Sequence, residues 1–86
     1  MINNLTLEIK IRTAVANVVQ KNGDLWYNMI YNEDEEDSTK SERMLLHKVK
    51  RYLVKHYSLD VNDLNDNVII TMFENNEDEF SFFAYI

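Results

Sequence analysis

The chain predicts an α+β domain, a small antiparallel sheet of about three strands packed with two helices, in the order α-β-α-β-β. Three observations carry that expectation. Residues 5–21 and Ser41–Tyr57 space their apolar side chains as amphipathic helices do. Leu25–Tyr31 is rich in aromatic residues, which favour strands. Val68–Phe73 and Phe80–Ile86 are apolar runs flanking the polar connection Glu74–Glu79, in the manner of a β-hairpin.

Each element has its own argument. In the first, Leu5, Leu7, Ile9 and Ile11 alternate with polar residues, a strand pattern. On a helical wheel, however, Leu7, Ile11, Ala14, Val15 and Val18 share one face. The run also continues through Gln20 without alternation. The helix reading is taken, with Asn4 as its N-cap and Gly23 as its stop. Asn32–Thr39 reads as a solvated acidic loop whose like charges repel. Thr39 and Glu42 then fit a capping box, with Ser41 as the competing cap. Leu45, Leu46, Val49, Tyr52, Leu53 and Tyr57 form the apolar side of the following helix, with His56 among them. Ser58–Asn65 reads as a turn, with a short helical turn begun at Asp60.

Composition narrows the class of protein. Eighty-six residues make one domain, spanning 1–86. A chain of this size buries roughly 60–65% of its unfolded surface. Five Tyr, four Phe and one Trp argue for a folded chain rather than a disordered one. With no Cys, neither a disulfide framework nor a thiolate metal site exists. That composition, without a signal-peptide pattern, leads to the expectation of a cytoplasmic protein. No apolar run suggests a membrane span, so no membrane partner is expected. A single Gly and no Pro leave the turns to Asn, Asp and Ser, and argue against phosphate-cradling glycine loops.

The charges are sorted along the chain. Six of the nine bases, Lys40, Arg43, Lys48, Lys50, Arg51 and Lys55, lie in one stretch. Five consecutive acids, Glu33, Asp34, Glu35, Glu36 and Asp37, precede it. From Tyr57 to Ile86 there are seven acids and no base. Two acid clusters are therefore candidate partner-binding residues: Glu33–Asp37, and Glu74, Glu77, Asp78 and Glu79. Carboxylates held on a rigid surface can stand in for phosphates and occupy a nucleic-acid channel on another protein. The plain alternative is an acidic surface kept for solubility.

The six bases, with His47, fall in one helical arc interrupted by Met44 and Val54. Such a face can track a phosphate backbone and release counterions. The plain reading is a solvated face neutralised by the neighbouring acids. On the expected C-terminal strand, Phe83 and Tyr85 face away from Phe80, Phe82 and Ala84. A sheet with two apolar faces would need a second cover, making Phe83 and Tyr85 a candidate homodimer or partner interface.

Catalytic and metal chemistry find no footing in the sequence. His47 and His56 fall on different faces of one helix, and His56 with Asp60 makes only two ligands. Neither acidic stretch has the glycine of an EF-hand loop. No catalytic residue, metal or cofactor is expected, and the chain is not read as an enzyme. The leading expectation is a small acidic inhibitor of phage or mobile-element type. It would block a nucleic-acid-handling host protein, such as a nuclease, a CRISPR effector or a toxin. The alternatives are an RNA- or DNA-binding protein using the basic face, and a homo-oligomeric assembly protein.

Overall fold

The computed structural model describes residues 2–85, with residues 2–5 described by backbone alone. Among them there is no strand. Five α-helices follow one another: α1 (Ile2–Lys21), α2 (Gly23–Tyr31), α3 (Glu35–Tyr57), α4 (Asp66–Asn75) and α5 (Glu77–Ala84). A 3-10 turn, Val61–Asp63, joins α3 to α4. The expected α+β fold is thus replaced by an all-helical one.

The first helix forms where its apolar stripe predicts. Ile11, Ala14, Val15, Val18 and Val19 are buried at helical spacing. Asn4 lies inside α1 rather than capping it. Nor does Gly23 end a helix; it begins the next. The Asn22 amide donates to the Val18 carbonyl at 2.9 Å, and the Trp26 amide donates to the Asn22 carbonyl at 3.2 Å. The chain therefore passes from α1 to α2 with barely a break. Both helices lie along α3. Lys10 of α1 stands 5.5 Å from the ring centroid of Tyr57, at the end of α3. Asn28 of α2 donates to Ser41 Oγ, near its beginning, at 2.6 Å.

Leu25–Tyr31, expected as a strand, is the body of α2. A short apolar run does not distinguish strand from helix by periodicity alone. Tertiary packing decides it here. Trp26 is fully buried and meets Phe73 and Phe80 edge-on, at ring-centroid distances of 5.8 and 5.9 Å. Met29 and Ile30, three and four residues on, pack against the same core.

The acidic loop is also corrected. Asp34 caps α3, its carboxylate accepting from the amides of Glu36 and Asp37 at 3.0 and 3.3 Å. Glu35, Glu36 and Asp37 form the first turn of α3, where unpaired amides and the helix dipole favour negative charge. That attraction offsets the repulsion between neighbouring carboxylates. Thr39 and Ser41 consequently sit inside the helix and cap nothing. Ser41 is buried against Asn28, and the Ser38 hydroxyl donates to the Met29 carbonyl at 2.6 Å. These bonds tie α2 to α3. The apolar side of α3 is as read from sequence: Leu45, Val49 and Leu53 are fully buried. The helix ends at Ser58, which takes a left-handed conformation with φ 57°.

The turn at Asp60 matches its sequence reading, since the Asp60 carboxylate accepts from the Asn62 amide at 2.9 Å. The hairpin does not form. Val68–Phe73 lies in α4, capped by Asn65, whose side-chain oxygen accepts from the Asn67 amide at 2.8 Å. Ile69, Met72 and Phe73 are buried at i, i+3 and i+4, so one helical face suffices to bury the run. Glu74–Glu79, expected as a connection, spans the end of α4, the corner at Asn76 and the first turn of α5. Phe80, fully buried, anchors α5. Ile86, the end of the expected second strand, lies outside the described residues. The β-branched residues Val68, Ile69, Ile70 and Thr71 lower helix propensity only by tenths of a kcal/mol each, roughly, and burial outweighs that.

Candidate functional site

The 23 residues of α3 span about 34 Å at the α-helical rise, close to the 38 Å long axis of the molecule. This helix organises the charge. Its first turn holds Glu35, Glu36 and Asp37; its last turn holds Lys55 and His56. Both placements complement the helix dipole. The acids of the first turn and Lys55 in the last therefore have a structural cause of their own. What bears on function is what other elements add at each end.

At the acidic end, the fold brings the second turn of α3 beside the second acid cluster. Ser38, Thr39 and Glu42 of α3 share a depression of about 220 Å³ with Phe73 and Glu74 of α4 and Glu77 of α5. Glu33–Asp37 lie on the turn immediately before Ser38. Glu74, Glu77, Asp78 and Glu79 border a second open surface at the α4–α5 corner. All nine candidate acids are exposed. Among the described residues, only Glu79 of these nine takes an ion pair, with Arg12 at 2.7 Å. Glu42 belongs to this end too, a member that reading the clusters along the chain does not reveal.

At the other end, Lys48, Lys50, Arg51 and Lys55 line an open groove of about 640 Å³ between α3 and the end of α1. Lys21, Asn17 and Asn22 supply its far wall, and His47 and His56 border it. Among the described residues, none that lines it is acidic. Lys50 pairs with Asp66 at 2.8 Å. Among the described residues, Lys21, Lys48, Arg51 and Lys55 make no ion pair. Lys40 and Arg43 are exposed but lie outside this groove, so the six-base arc divides into four groove residues and two others. Nothing in the sequence marks Lys21, Asn17 or Asn22 for this site, because only the packing of α1 along α3 brings them there. His56 stacks on Tyr52 with ring centroids 4.0 Å apart.

Phe83 and Tyr85 have no sheet to project from. Phe83 is half-buried and packs against the core. Tyr85 is 76% exposed, and its ring meets that of Tyr27 at 5.2 Å. Among the described residues, the buried Tyr27 hydroxyl finds no hydrogen-bond partner. Burial, reinforced by Tyr85 and Tyr31, pushes this phenol well above its ordinary range.

Among the described residues, no group of three or more His, Asp or Glu is arranged to hold a metal ion. No helix among them is long and apolar enough to cross a membrane. Comparison with protein-family models, with curated proteins and with solved structures gives no match.

Proposed function

We propose that this chain is a small, non-enzymatic binding protein of phage or mobile-element type that inhibits a nucleic-acid-handling host protein. Its acidic end occupies the basic surface on which that protein, a nuclease, CRISPR effector or toxin, holds its nucleic acid. The observation that carries this reading is that Ser38, Thr39 and Glu42, which follow Glu33–Asp37 on α3, share a depression with Glu74 and Glu77. The clusters are separated in the chain by most of α3 and most of α4, yet the turn of α3 that follows the first borders the second. The net charge of −6 adds a negative far field that steers association toward a basic partner. The absence of cysteine suits a reducing, cytoplasmic setting.

The test is a pull-down from host lysate at low salt, with and without nuclease treatment. It compares the natural chain with a variant carrying Glu33→Gln, Glu74→Gln, Glu77→Gln and Asp78→Asn. Asp34 is left intact because it caps α3. The expected result is a discrete protein partner that survives nuclease, is released by added salt and is lost with the variant. A partner retained equally by the variant would overturn the reading.

A further inference from the structure

We infer that the groove between the end of α1 and the second half of α3 binds the phosphate backbone of a single-stranded nucleic acid. The inference is independent of the acidic end. It rests on four features of the groove.

The first is uncompensated charge. Lys48, Arg51 and Lys55 follow one another at roughly one-turn intervals on α3, about 5 Å of rise each. Lys21 faces them from α1, and none of the four is ion-paired among the described residues. Cations in a row can each displace a counterion from a phosphate chain.

The second is distance from the acids. Along α3, Asp37 precedes Lys48 by about 16 Å of rise and Lys55 by about 27 Å. Both exceed the Debye length of about 8 Å at physiological ionic strength. The acid run therefore does not neutralise the groove in salt, despite adjoining its bases in sequence. Among the described residues no acid lines the groove; Asp66 holds Lys50, and Glu42 precedes Lys48 by about 9 Å of rise.

The third is shape. The groove is open rather than enclosed, which suits a chain of phosphates better than one small anion surrounded on all sides. The fourth is the ring pair on its wall. His56 is exposed and lies flat on Tyr52, at an interplanar angle of 27°, leaving one imidazole face to solvent. A stacked, exposed ring beside a row of cations is the pairing that single-stranded nucleic-acid sites use to hold bases and backbone together. Duplex DNA would offer phosphates but no free base face.

The experiment is fluorescence anisotropy with a labelled oligouridylate at low and rising salt. The expected outcome is binding whose logarithm falls with log salt at a slope near −2, for about three phosphate contacts at roughly −0.7 each. Lys48→Ala, Arg51→Ala and Lys55→Ala together should weaken binding by about tenfold or more. His56→Ala should weaken the single strand but not a duplex of the same length. Lys40→Ala with Arg43→Ala, on the same helix outside the groove, should change affinity less than about twofold. No binding at low salt would overturn the inference. So would equal loss from the Lys40/Arg43 pair, or tripolyphosphate binding as tightly as the oligonucleotide. Circular dichroism of each variant confirms that the fold is retained.

Discussion

The indole nitrogen of Trp26 donates a hydrogen bond to the hydroxyl of Ser81 at 2.8 Å, joining α2 to α5 across 55 positions of sequence. Trp26 is fully buried between Phe73 and Phe80, so its N–H has no access to bulk water. Ser81→Ala leaves that donor unsatisfied and should cost about 1–3 kcal/mol. Because Trp26 is the single tryptophan, its fluorescence reports unfolding in urea directly. An unchanged denaturation midpoint would show that the bond contributes nothing.

Gly23 meets α5 at close quarters. A Cβ added there would lie 2.9 Å from the Ala84 carbonyl oxygen, which belongs to backbone and has little room to move. Helix propensity alone favours alanine over glycine by about 1 kcal/mol. The clash reverses the sign, and Gly23→Ala should destabilise the protein by about 1–3 kcal/mol. Thermal denaturation separates the two cases: propensity raises the midpoint and the clash lowers it.

Asp34 is a structural acid among candidate functional ones. Asp34→Ala removes the cap on α3 and should cost about 0.5–2 kcal/mol. Asp34→Asn keeps a capping oxygen and should recover most of that loss. Chemical denaturation of the two variants measures the difference. Equal stability in both would show that the carboxylate's charge, rather than the cap, matters at this position.

The Tyr27 hydroxyl lies buried without a hydrogen-bond partner among the described residues. Removing a buried, unpaired polar atom while keeping the ring has no hydrogen bond to lose. Tyr27→Phe should leave the melting temperature unchanged or raise it, as measured by calorimetry. A lower melting temperature would show that the hydroxyl is bonded in solution, with Tyr85 as the neighbour at hand.

The chain by itself determines the two longest helices, since each repeats its helical apolar pattern over several turns. Ile11, Ala14, Val15 and Val18 of α1, and Leu45, Val49 and Leu53 of α3, are buried as their spacing requires. It also determines the turn at Asp60, where one side chain bonds an amide two residues on. The three short apolar runs around Trp26, Ile69 and Phe80 were decided only by tertiary structure. Each is too short for its period to be read, and aromatic or β-branched content favours a strand in isolation. Packing Trp26 against Phe73 and Phe80 makes helices of all three, because a helical face places these rings in one core. The charged ends divide in the same way. The acids and bases of α3 are legible in its linear order. The neighbours that complete each end, Glu74 and Glu77 at one and Lys21 at the other, arrive through helix packing, which no local pattern encodes.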